Sequence, residues 1–121
     1  MTKIILCVDD SASSRALMAS VLKPRGYKVV QATDGIDGLA KMAESKVDLV
    51  ITDLNMPKMN GIEMINSIRG TAQYDGVPLI LLTAQGQKEH EHKCQIVGAA
   101  GWISKPLKVS EICNMVKRLI G

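Results

Sequence analysis

The sequence predicts a doubly wound α/β fold built on a parallel sheet. Three observations carry that expectation: short, almost wholly apolar runs recur along the chain, stretches of helical spacing separate them, and the runs end in polar or charged residues. The first run, over 3–8, leads into Asp9 and Asp10, and the stretch after it places Leu17, Met18, Val21 and Leu22 on one helical face. A second run over 27–32 is followed by Ile36, Leu39, Ala40 and Ala43. A third over 47–52 precedes Ile62, Ile65 and Ile68, and a fourth covers 77–83. These runs read as strands buried on both faces, as parallel strands are. The helix over 87–97 is weakly marked because its first half is polar. A fifth strand is suggested by Trp102, Ile103 and Ser104 after the small residues 98–101. Val109, Ile112, Met115, Val116, Leu119 and Ile120 then give the clearest amphipathic helix. Parallel strands need helix-length, right-handed crossovers, so five such units imply helices on both faces of one sheet.

Composition narrows the class. A length of 121 residues suits one domain, and the expectation is a single domain over 1–121 with no output domain. With 46% hydrophobic and 22% charged residues the chain can bury its own core, which excludes intrinsic disorder. No apolar run approaches the roughly 20 residues that span a bilayer, and 4–8 is too short for a signal-peptide core, so a cytoplasmic protein is expected. Cys7, Cys94 and Cys113 are odd in number and far apart, which fits reduced thiols rather than disulfides. A net charge of +3 without a basic stripe gives no reason to expect nucleic acid.

In doubly wound sheets, sites form beyond the carboxyl ends of the strands. There the sequence puts Asp9 and Asp10 after strand one, Asp53 after strand three, Thr83 and Ala84 at strand four, and Ser104, Lys105 and Pro106 at strand five. Each alone has an ordinary explanation: Asp9, Asp10 and Thr83 as helix caps, Asp53 as a turn residue before Met56 and Pro57, Lys105 as a surface lysine. Together they converge on one edge. Three carboxylates repel unless a cation joins them, and magnesium prefers carboxylate, carbonyl and water oxygens. Three Asp, Mg²⁺ and Lys105 sum to zero charge, so a phosphoryl group of about −1.5 to −2 charges would unbalance the site. A carboxylate can accept such a group as an acyl phosphate, with Mg²⁺ and Lys105 stabilising the transferring oxygens. Neither a P-loop nor a dinucleotide-binding glycine motif occurs.

Asp9-Asp10, Asp53-Leu54-Asn55-Met56-Pro57 with Gly61, Thr83-Ala84 and Lys105-Pro106, in that order along the whole chain, resemble the receiver domains of two-component response regulators, of the free-standing chemotaxis type. The resemblance implies a flavodoxin-like five-stranded parallel sheet in order 2-1-3-4-5, flanked by five helices. It implies a phosphorylation-activated switch in chemotaxis or, within the same class, a phosphorelay shuttle. Asp53 would be the phosphoacceptor, fed by a histidine kinase. Asp10 and Asp53 would bind Mg²⁺, Asp9 would hold its water shell, and Asn55 would offer a backbone carbonyl. Lys105, with a cis peptide before Pro106, would pair with the phosphoryl group. Thr83 would move onto a phosphoryl oxygen, coupled to Trp102, which stands where the family most often has Tyr or Phe. Asn55 and Gln85 would tune self-dephosphorylation. Such a protein is no enzyme beyond catalysing its own phosphorylation and dephosphorylation. Its implied partners are the kinase, a phosphatase, and an output protein, the flagellar motor switch if chemotactic. The output protein would bind the face made by the helix over 87–97, strand five and the C-terminal helix; the resemblance further implies a monomer, with no membrane partner.

Weaker signals remain. His90 and Cys94 stand four apart, a spacing zinc can use, though two ligands make a poor site. Met56 and Met59 could face a partner. Lys88, Lys93, Lys105, Lys108, Lys117 and Arg118 give the expected output face a basic character suited to an acidic peptide. The alternative from another class is a Mg²⁺-dependent small-molecule phosphohydrolase with an Asp nucleophile. Against it, residue 55 is Asn where such enzymes carry a second carboxylate.

Overall fold

A computed structural model describes residues 2–54, 56, 59–83 and 97–121. Five parallel strands, β1 (Ile4–Val8), β2 (Lys28–Ala32), β3 (Leu49–Asp53), β4 (Leu79–Thr83) and β5 (Gly101–Ser104), form one sheet in the order β2-β1-β3-β4-β5. This is the expected doubly wound α/β order. Among the described residues, four α-helices flank it: α1 (Ala12–Leu22), α2 (Gly35–Glu44), α3 (Gly61–Arg69) and α4 (Val109–Ile120). The helix expected over 87–97 lies, but for its last residue, outside the described residues, as do His90 and Cys94. No described helix is long and apolar enough to cross a membrane.

Alternation along the strands builds two cores. Leu6, Val8, Val50, Leu79 and Leu81 pack with Met42, Met64, Ile65 and Ile68 of α2 and α3. Ile5, Cys7, Leu49, Ile51, Ile80, Leu82 and Ile103 pack with Met18, Val21 and Leu22 of α1 and with Ile112 and Val116 of α4. Three of the four described helices, α1, α2 and α3, start where a side chain satisfies one of their first amide groups. Ser11 caps α1, accepting from the Ser14 amide at 3.3 Å, so neither Asp9 nor Asp10 is spent as the cap. Asp34 caps α2, and Asn60 with Glu63 forms a capping box on α3.

Three expectations change in detail. β2 is not buried on both faces: as an outer strand it is covered on one edge only, and Lys28 and Gln31 are exposed. The buried face of α2 is Gly35, Gly38 and Met42, whereas Ile36 is 54% exposed. The reason is steric. A Cβ at Gly38 would stand 2.6 Å from Met64 Sδ and 3.3 Å from Val8 Cγ2, so the glycine brings α2 close to β1 and α3. Met56 and Met59, read as residues that could face a partner, are half-buried and pack in part against the core.

Candidate functional site

The chain leaves β1 outward to β2 and returns on the other side of β1 to β3. The strand order therefore reverses between β1 and β3, where a crevice opens at their carboxyl ends. Asp9 and Asp10 follow β1 directly and Asp53 is the last residue of β3, so topology alone puts three carboxylates at this crevice. One oxygen from each lies within 4.8 Å of the others. Asp9 is fully buried and Asp53 is buried, while Asp10 is exposed. The sequence prediction that these residues converge is met.

Asp9 is held from two sides. Its Oδ1 accepts the Ser11 amide at 2.9 Å, and its carbonyl accepts Arg15 Nη1 at 2.6 Å. Its Oδ2 is wholly buried, and its partner among the described residues is Lys105 Nζ, in an ion pair at 3.0 Å. The Lys105 amide continues the β4–β5 ladder, donating to the Thr83 carbonyl at 2.8 Å, and the Lys105–Pro106 peptide is cis. Its ammonium also donates to Asp53 Oδ2 at 3.1 Å. Burial works against the charge on Lys105, but hydrogen bonding and attraction from Asp53 and Asp9 outweigh it and hold its pKa above the ordinary lysine value.

Behind Asp53 the backbone is tightly packed. The Asp53 carbonyl accepts the Thr52 hydroxyl at 2.8 Å, and the Gly61 amide donates to the Leu54 carbonyl at 3.0 Å. A Cβ at Gly61 would overlap the Asp53 carbonyl, so only glycine lets α3 begin this close to the carboxylate.

Thr83 and Ser104 end their strands as register partners, with Thr83 Oγ1 3.4 Å from Ser104 Oγ. Trp102 is opposite Leu81 in the same ladder, two residues before Ser104, so Thr83, Ser104 and Trp102 share one face of the sheet. Thr83 is buried and Trp102 is 37% exposed. Asn55 and Gln85 lie outside the described residues.

The donor set fits a small divalent cation. Three carboxylates and one ammonium leave a formal charge of −3 + 1 = −2, all donors are oxygens, and the buried Asp9 Oδ2 has Lys105 as its one partner among the described residues. Beside them, burial among apolar side chains, and then the charge of Asp9, push the Cys7 thiol up to about 12. One contributor carried no sequence signal, Arg15, which braces the Asp9 backbone; Ser104 was expected at the strand end, but its contact with Thr83 comes only through strand register.

Residues 5–117 match the response regulator receiver domain family. The chain is 33% identical over 118 residues to the probable chemotaxis protein CheY of Rhizobium etli, covering 97% of this chain and 92% of that protein. It is 33% identical over 117 residues to hybrid signal transduction histidine kinase D of Dictyostelium discoideum; this covers 97% of the chain but only 8% of that much longer protein. The solved structure of the chemotaxis response regulator CheY4 of Vibrio cholerae superposes with a TM-score of 0.91 at 34% identity, covering 99% of this chain and 100% of that one. With the strand order, the carboxylate crevice and these likenesses in agreement, the chain belongs to the response regulator receiver domain family and is a CheY-like signalling domain of two-component systems.

Proposed function

We propose that this chain is a phosphorylation-activated switch in which Asp53 takes a phosphoryl group from the phosphohistidine of a histidine kinase, with Mg²⁺ as cofactor, and then binds an output protein. The observation that carries this reading is the crevice itself: three carboxylates within 4.8 Å of one another, with Lys105 on two of them.

Asp10 and Asp53 are the residues to hold the metal, with Asp9 orienting its waters and the residue 55 carbonyl as a further oxygen donor. Bound there, the cation neutralises charge on the phosphoryl oxygens. An Asp53 carboxylate oxygen forms the new O–P bond as the P–N bond of phosphohistidine breaks and the imidazole leaves. Such transfer needs in-line positioning and cationic stabilisation more than a strong base, which suits a site with Lys105 and, among the described residues, no histidine. In the loaded site, Lys105 exchanges its contact with Asp53 for one with a phosphoryl oxygen. Thr83 turns its hydroxyl to another, and Trp102 turns into the space behind it. Asn55 and Gln85 set how long the acyl phosphate lasts.

Chemotaxis is the assignment within this class that the likeness to two CheY proteins supports, one of them nearly the same length. The flagellar motor switch is then the output partner, a phosphatase ends the signal, and the protein works in the cytoplasm. The basic residues Lys108, Lys117 and Arg118, all exposed on or next to α4, suit an acidic docking segment. Incubation with a small phosphodonor and Mg²⁺ tests the reading. The switch takes up one phosphoryl group per chain; sustained release of phosphate over many turnovers would instead support a phosphohydrolase.

A further inference from the structure

We infer that Ser104 is a resting-state latch for Thr83, a positioning residue that sets how readily the switch turns on. The inference deepens the proposed function and rests on it for its consequence, though not for its structural test.

Thr83 is 2% exposed, so its hydroxyl has almost no access to water. A buried hydroxyl needs a partner. Among the described residues, the hydrogen bond recorded for the Thr83 hydroxyl is the one to Ser104 Oγ at 3.4 Å, and register explains it: Thr83 and Ser104 are opposed at the last rung of the β4–β5 ladder and share a face. The separation is long against the usual value of about 2.8 Å for two hydroxyls, so the latch is a weak one. Weakness suits a switch, because a bond near balance can be exchanged for a stronger, charge-assisted one to a phosphoryl oxygen.

The direction of its effect follows. The Ser104 bond holds the Thr83 hydroxyl toward β5, on the opposite side of β4 from β3 and Asp53, so it is given up when Thr83 turns to the phosphoryl group. Removing the Ser104 hydroxyl leaves the resting Thr83 hydroxyl buried and unpartnered, while a Thr83 bonded to a phosphoryl oxygen loses nothing. The resting state is penalised, the equilibrium shifts toward the active arrangement, and apparent affinity for any ligand selecting that arrangement rises. The neighbour two residues back on the same face is Trp102, so the latch adjoins both the residue that detects the phosphoryl group and the aromatic that reports it.

Two measurements test this. In the resting protein without Mg²⁺ or phosphoryl mimic, three-bond couplings to the Thr83 methyl report its χ1 angle. We expect one rotamer in wild type and in Ser104→Thr, which keeps a hydroxyl, and rotamer averaging in Ser104→Ala. A single unchanged rotamer in Ser104→Ala overturns the latch whatever the ligand chemistry. The second is a titration with beryllofluoride and Mg²⁺, a phosphoryl mimic. Ser104→Ala should bind about two- to fivefold tighter than wild type, the range of one weak net hydrogen bond. In the Thr83→Ala background the same substitution should change nothing. Weaker or equal binding by Ser104→Ala, or an effect that persists without the Thr83 hydroxyl, overturns the latch. Wild type that binds no beryllofluoride at all overturns the phosphoryl-site reading instead, and the couplings still decide whether Ser104 holds Thr83.

Discussion

Lys105 donates to Asp53 Oδ2 at 3.1 Å across an intervening strand, since β4 stands between β3 and β5. One ammonium thus serves a carboxylate on a distant rung, and its second contact, to the buried Oδ2 of Asp9 at 3.0 Å, ties β5 to β1 as well. In the resting protein it partly balances three negative charges; in the phosphorylated one it would read the added charge.

Lys105→Ala separates those two roles. The variant should still be labelled at Asp53 by a phosphodonor, because the acceptor carboxylate is intact. Beryllofluoride should then fail to change its Trp102 fluorescence, because the ammonium that reads the new charge is gone. A fluorescence response equal to wild type's would contradict that role. Without Mg²⁺ the variant should also melt at lower temperature than wild type, with part of the loss restored by added Mg²⁺.

Asp10 is the exposed member of the carboxylate group and the one whose removal least disturbs the interior. Asp10→Asn should weaken Mg²⁺ binding at least about tenfold, the scale of one lost charged ligand or its orienting partner. It should also stabilise the metal-free protein, by relieving repulsion among three carboxylates. Calorimetric titration and thermal melts in chelator check the two halves, and Mg²⁺ affinity equal to wild type's would refute the metal assignment.

Trp102 is the sole tryptophan, so intrinsic fluorescence reports one site. It is 37% exposed and stands opposite Leu81 in the ladder, two residues before Ser104 on the Thr83 rung. Beryllofluoride with Mg²⁺ should change its intensity and shift its emission to the blue as the ring buries. Thr83→Ala should bind the mimic yet lose the wavelength shift. An unchanged spectrum in wild type, with binding shown independently, would remove Trp102 from the switch.

Much of this was legible in the sequence, and the exceptions have physical reasons. Asp9, Asp10, Asp53, Thr83 and Lys105 stand at the ends of apolar runs, so a parallel sheet had to gather them at one edge once its strand order was known. The face of α2 was misread because Gly35 and Gly38 are buried by close approach, which hydrophobic spacing does not register. β2 looked like a central strand because apolar runs do not say which strand is outermost. Arg15 reaches a backbone carbonyl and Ser104 a hydroxyl 21 residues away; neither contact has a local pattern.

Cys7 gives the fold a pH signature. Its pKa rises from 9.0 to about 12 through burial and the nearby Asp9 charge. Between those values the native thiol keeps a proton that the unfolded chain releases, so the unfolded state binds fewer protons and stability falls as pH rises. The contribution is whole below pH 9 and is lost toward pH 12, at up to about 1.4 kcal/mol per pH unit. Denaturant unfolding from pH 8 to 11 should show a shallower alkaline decline in Cys7→Ala than in wild type. Equal slopes would show that Cys7 does not keep its proton. At pH 8, a thiol reagent should spare Cys7 in the native protein and modify it on unfolding.

The central claim is that Asp53 is the phosphoacceptor, and mapping the phosphoryl group tests it most directly. Wild type incubated with Mg²⁺ and a small phosphodonor, then reduced with borohydride to trap the acyl phosphate, should carry a single modification, at residue 53 of the digested chain. Asp53→Asn, with a near-native melting profile, should carry none, because an amide does not form the acyl phosphate. A modification that maps to another residue in wild type, or labelling that persists in Asp53→Asn, would contradict the account.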